Sequence, residues 1–73
     1  MSKHLTAIIQ AESPGFVALC PELDIASQGE TIEESLVNLR EAVELFYEAA
    51  SPAEISAREG GEVYITQLEV FVG

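Results

Sequence analysis

TIEESLVNLREAVELFYEAASP, residues Thr31 to Pro52, is the stretch whose reading decides the fold. Thr31 followed three positions later by Glu34 forms a capping-box pattern, in which each side chain satisfies a backbone N–H that a helix start leaves unpaired. A helix is therefore predicted from about Ile32. From there Ile32, Leu36, Leu39, Val43, Phe46 and Ala50 recur at three- and four-residue steps, giving one apolar stripe, with Glu33, Asn38, Glu41, Glu44 and Glu48 opposite it. The helix is expected to stop near Ser51-Pro52, because the residue before a proline is pushed out of α geometry and the ring cannot continue the hydrogen-bond ladder.

Working outward toward the N-terminus, Leu5 to Glu12 is rich in apolar and β-branched residues and ends at Ser13-Pro14-Gly15, a turn signal. Phe16 to Cys20 is a short apolar run between Gly15 and Pro21, as expected of a central strand with apolar contacts on both faces. Leu23 to Gln28 alternates and suits an exposed edge strand, closed by Gly29. Beyond the helix, Ala53 to Gly61 has room for a short helical turn, and Gly60-Gly61 marks a break. Glu62 to Val72 then alternates Tyr64, Thr66, Leu68, Val70 and Val72 against Val63, Ile65, Gln67, Glu69 and Phe71, as a last strand would.

The predicted architecture is α+β, in the order β-β-β-α-β: an antiparallel three-strand meander, a right-handed crossover helix and a final strand. One helix, about 10 to 12 Å wide, cannot cover four strands at about 4.8 Å spacing. One sheet face is thus only partly covered and the other is bare, although both carry apolar residues. Such surface marks an interaction site, and a homodimer or higher homo-oligomer is the expected cover.

With 73 residues the chain is read as a single domain, 1–73, without internal repeat or linker. Hydrophobic residues form 48% of it, enough for a packed core. The lone Cys20 offers no internal disulfide, so self-association is the remaining source of stability. No apolar run approaches the roughly 20 residues that span a bilayer, and a soluble, cytosolic protein is expected. Thirteen acidic residues against three Lys plus Arg give a formal net charge of −10. That field repels phosphate backbones, which argues against direct nucleic-acid binding, and attracts basic surfaces.

Few side chains offer chemistry. His4 is the only histidine and has no orienting partner in sequence, and Cys20 sits in an apolar run with no positive neighbour to lower its pKa. No catalytic residue, cofactor or metal ligand is assigned. Glu12, Glu22 and Asp24 stand at strand ends, where converging carboxylates would hold Mg²⁺ for phosphodiester cleavage, but no motif brings them together. The helical glutamates are either a solvated face or a docking surface for a basic partner.

The segment from Phe16 to Glu44 resembles the HicB-like antitoxin family. The features that carry the resemblance are Cys20-Pro21-Glu22-Leu23, Ser27-Gln28-Gly29-Glu30-Thr31, Glu33-Glu34-Ser35-Leu36 and Asn38-Leu39-Arg40-Glu41-Ala42, in that order and spacing. The resemblance implies a partly degenerate RNase H-like fold and a role neutralising a small basic RNA-cleaving toxin of the HicA type by masking its active site. Asp24, Glu41, Glu44 and Glu48 are the candidate partner-binding residues. Family members that repress their own operon carry a helix-turn-helix or ribbon-helix-helix segment after this domain. The sequence reaches Gly73 without one, so that role is not carried over. Two other readings stand beside this one: an orphan oligomeric binding module with no toxin, and a divalent-metal nuclease on an RNase H-like sheet.

Overall fold

The computed structural model describes residues 2–73. Three strands, β1 (Ile8–Glu12), β2 (Gly15–Cys20) and β3 (Ile25–Gly29), form an antiparallel sheet in the order β1-β2-β3. Two helices follow, α1 (Ile32–Ala49) and α2 (Pro52–Glu59). The class is α+β, as the sequence predicts.

The meander forms because its turns are written locally. β1 and β2 are joined through Ser13-Pro14, whose peptide bond is cis. β1 is shorter than the expected Leu5–Glu12, and the register gives the reason. Ile8 pairs with Leu19, so Thr6 would stand opposite Pro21, which has no N–H to offer a ladder. Thr6 turns instead to Glu22: its backbone N–H donates to both carboxylate oxygens at 3.0 and 3.1 Å and its hydroxyl to Oε2 at 2.6 Å. β3 starts at Ile25 rather than Leu23, because Cys20 and Ile25 are partners and the four residues between them make the turn. There Leu23 drops into the core at 1% exposure, and Asp24 takes a left-handed φ of 55°, a conformation Asp tolerates better than most residues.

α1 begins and ends where its capping residues place it. Thr31 Oγ1 accepts the Glu34 N–H at 3.0 Å, while the Glu34 carboxylate reaches one residue further back than a capping box requires, to the Glu30 N–H. Glu33 and Glu34 stand in the first turn, where the helix dipole favours negative charge. At the other end Ala50 is extended, and Ser51 immediately caps α2 with both bonds of a capping box to Glu54 and Pro52 in the first turn. The expected short turn in 53–61 is thus a full two-turn helix.

The core is small: Ala18, Cys20, Leu23 and Leu39 are buried, with Ile9, Ile25, Val43, Phe46 and Tyr47 packed around them. The buried face of α1 runs through Ser35, Leu39 and Phe46 and is rotated from the expected stripe, leaving Ile32 48% and Leu36 37% exposed. Close approach at Gly29 sets that rotation. A Cβ there would stand 2.5 Å from the Ser35 N, so the helix start is pressed onto the end of β3. Ser35 is fully buried, and its hydroxyl donates to the Ile32 carbonyl at 2.8 Å. α1 consequently lies chiefly over β3, less over β2, and barely reaches β1. On the other sheet face Ile8, Val17 and Leu19 are half-buried and no element of the described chain covers them.

The expected last strand is not part of the sheet. Residues 62–73 form no strand; they are exposed along their whole length, and none of their backbone groups bonds to the rest of the described chain. The alternating pattern was a sound strand signal, but periodicity specifies a two-faced extended segment and not the edge it pairs with. The β-β-β-α-β order is therefore incomplete within the single chain.

Two outcomes follow from this packing. Leu39→Ala should cost about 2–5 kcal/mol, the usual range for truncating a buried leucine, whereas Leu45→Ala, at a side chain 62% exposed, should stay within about 0.5 kcal/mol. Urea midpoints at one fixed chain concentration check both. The second concerns acid. The Thr6 hydroxyl, with its backbone N–H, holds the Glu22 carboxyl below the usual carboxylate range. A depressed carboxyl contributes stability that is complete above its unfolded pKa, about 4.3, and is lost as pH falls through the folded value. Glu22→Gln should therefore show a shallower loss of stability below about pH 4.3 than the parent chain, measured by urea unfolding from pH 6 to pH 3. Equal slopes would remove Glu22 from the acid response.

Candidate functional site

Successive residues of α1 three and four apart lie side by side, so Glu41, Glu44 and Glu48 share one patch, with Val37 one turn before Glu41 and Leu45 one turn after it. All five are exposed, Val37 to 49% and Leu45 to 62%. This patch faces away from the core. Three of the four candidate partner-binding residues are thus brought together, and two apolar side chains that the sequence reading did not single out complete the surface. The signal for them was available: on a helix read as amphipathic, Val37 and Leu45 stand outside the apolar stripe. Asp24 does not join the helical row. It lies in the β2–β3 connection, where its φ gives it a turn role of its own.

The patch works against the helix that carries it. Glu44 and Glu48 are like charges four apart, an arrangement that destabilises a helix by a few tenths of a kcal/mol. Glu48 also stands in the last two turns, near the end where the dipole disfavours negative charge, and no basic residue occupies the last turn. The face thus combines three carboxylates with two exposed apolar side chains that the domain's own core does not use.

A second surface is a groove along the other flank of α1, toward the uncovered β1 side. Leu36, Arg40, Val43, Glu44 and Tyr47 form its helical wall, so Glu44 belongs to both surfaces, and Lys3 to Ala7 form the opposite wall. Arg40 and Lys3, two of the chain's three Lys and Arg residues, line it, as does His4. Lys3 bonds Glu59 at 2.5 Å and lies 4.8 Å from the Tyr47 ring centre. Tyr47 donates to the same Glu59 at 2.5 Å, and burial followed by that carboxylate pushes its phenol up to about 12. Arg58, over the Phe46 ring, donates to the Leu23 carbonyl at 2.6 Å. The end of α2 is thereby pinned to the body through contacts that no spacing rule in the sequence announces.

The carboxylates considered for metal binding do not converge. Glu12 pairs with Gly15 at the hairpin turn, while Glu22 follows Cys20 at the opposite end of β2, roughly 17 Å away at about 3.4 Å per residue. Glu22 is occupied by Thr6, and Asp24 is turned out to solvent. Among the described residues no group of three His, Cys, Asp or Glu side chains is placed to hold a metal ion. Cys20 is buried, and burial, reinforced by the neighbouring Glu22 charge, pushes its thiol up, away from nucleophilic reactivity. No helix among the described residues is long and apolar enough to cross a membrane.

No protein-family model matches the chain, and no solved structure matches it. Among curated proteins it is similar to the UPF0150 protein ssl0738 of Synechocystis sp., with 46% identity over 50 residues, which cover 66% of this chain and 69% of that protein. Identity at that level over more than two thirds of the relative settles the kinship: the chain belongs to the UPF0150 family.

Proposed function

We propose that this protein is an antitoxin-like binding module of the HicB type, without catalytic activity, which acts in the cytoplasm by covering the active site of a small basic RNA-cleaving toxin of the HicA type. The RNase H-like topology implied by that resemblance belongs to the same proposal. The observation that carries it is the exposed face of α1, where Glu41, Glu44 and Glu48 stand beside exposed Val37 and Leu45. Glu44 and Glu48, like charges four apart with Glu48 in the last turn, are the kind of local conflict that a binding role accounts for and solubility does not. An enzyme that binds RNA phosphate presents a positive surface. A face of this sign steers toward it and occupies the ground the RNA would take.

The test separates binding from folding. Glu48→Lys turns the repulsive Glu44/Glu48 pair into an attractive one in the favourable order and places a cation in the last turn, where the dipole favours it, so thermal stability should hold or rise. The same change should slow association with the toxin at least tenfold and abolish rescue of growth, assayed by co-expression with a short basic RNA-cleaving protein encoded beside this chain. If the parent chain neither rescues growth nor forms a complex, the proposed function is wrong. If the variant binds as well as the parent, the α1 patch is not the contact.

A further inference from the structure

We infer that residues 62–73 are an exchanged strand: the tail of each chain pairs with the open β1 edge of a second copy, with one face packed over the groove beside α1. This assignment does not depend on the toxin reading.

The tail has the chemistry of an interior strand and the environment of solvent. Tyr64 is 82%, Leu68 84% and Phe71 92% exposed. Seven of the ten residues from Val63 to Val72 are apolar or aromatic, with neither glycine nor proline among them. A run of this kind, with its N–H and C=O groups unpaired, is a strand awaiting an edge. It also stretches the molecule. A compact chain of 73 residues should have a radius of gyration of about 11 Å, against 14.4 Å here, and the longest dimension is 49 Å.

The same chain offers an edge and does not use it. The outer side of β1 has no neighbour in the sheet, and α1, drawn toward β3 by the Gly29 contact, leaves the adjoining groove open. β3 is the poorer acceptor, since α1 packs on it and Asn38 Nδ2 already takes the Gln28 carbonyl at 2.8 Å. The end of α2 is held by the Arg58–Leu23 and Lys3–Glu59–Tyr47 bonds, so the chain departs from that anchor at Gly60-Gly61 and runs outward.

Charge selects the occupant. Two copies at −10 each repel unless they meet where charge is absent, and the two strands concerned are where it is absent. Leu5 to Ala11 carries no ionisable side chain, and Val63 to Val72 carries only Glu69 as a carboxylate. The groove holds Arg40 and Lys3 alongside Glu44, with Lys3 already paired to Glu59, so a second copy's largely uncharged strand meets little net charge there. Exchange between two copies is reciprocal and closes on itself, so neither tail nor edge remains open.

The test uses the full chain. Sedimentation equilibrium should give a dimer at micromolar concentration, and Leu68→Asp should weaken the association at least tenfold with the helical circular dichroism retained. Should that variant fail to fold, the parent protein still decides the matter: in a mixture of isotope-labelled and unlabelled chains, intermolecular NOEs should join residues 63–72 of one copy to Leu5, Leu36 and Val43 of the other. A monomer with a solvated tail would overturn the inference. So would a tail folded onto its own β1, or a dimer joined through the Ile8–Val17–Leu19 face or the acidic side of α1.

Discussion

The close approach of Gly29 to the start of α1 governs the layout of this domain. Since a Cβ at Gly29 would meet the Ser35 nitrogen at 2.5 Å, only glycine lets the helix begin so near the end of β3. Ser35, small and internally bonded, fills the contact on the helix side. One helix cannot shield a whole sheet, so where it is anchored decides what stays open. Anchored over β3, α1 places Leu39 on Ala18, Cys20 and Leu23, and leaves β1 with a free edge and an open groove. A core of four buried apolar side chains is slight even for 73 residues, and the sheet face formed by Ile8, Val17 and Leu19 adds nothing to it.

Much of this was legible in the sequence, and what was not has identifiable causes. The bounds of α1 follow from Thr31, Glu34 and Pro52, which act through neighbouring backbone atoms, so local reading suffices. The turn at Pro14 and the apolar run of β2 are equally local. Leu23 was assigned to a strand because it alternates with Asp24, but a left-handed residue at 24 breaks the alternation, and no periodicity rule sees that. α2 was read as a bare turn, although Ser51 and Glu54 repeat the signature that opened α1. The rotation of the α1 stripe came from the Gly29 contact, a tertiary effect. The strand expected over Glu62 to Val72 does not form, since its pattern encodes two faces and says nothing of the neighbour it would need.

The candidate site divides along the same line. Glu41, Glu44 and Glu48 could be grouped from helical spacing alone, and they are grouped. Val37 and Leu45 were overlooked because they disturb an amphipathic pattern, and that disturbance is their significance: apolar side chains stranded among carboxylates have no role in the domain's own core. Asp24, by contrast, was chosen for its charge and is explained by its backbone. Glu12 and Glu22 illustrate a further limit, since residues that both stand at strand ends can stand at opposite ends.

The acidic patch and the groove adjoin along α1 and meet at Glu44, which belongs to both. The acidic side of α1 lies toward solvent, and its Glu44 and Glu48 weaken the helix end that bears them. Lys3 and Arg40 line the adjoining groove together with Glu44, beside the uncharged β1 edge. A chain with ten excess negative charges gains nothing for its own stability by concentrating carboxylates on one helix face. An uncharged β1 edge with Lys3 and Arg40 beside it does serve it, because self-repulsion falls where like chains would touch. A second copy seated in the groove would leave Glu41 and Glu48 clear of it, with Glu44 at the boundary between the proposed self-contact and the proposed basic partner.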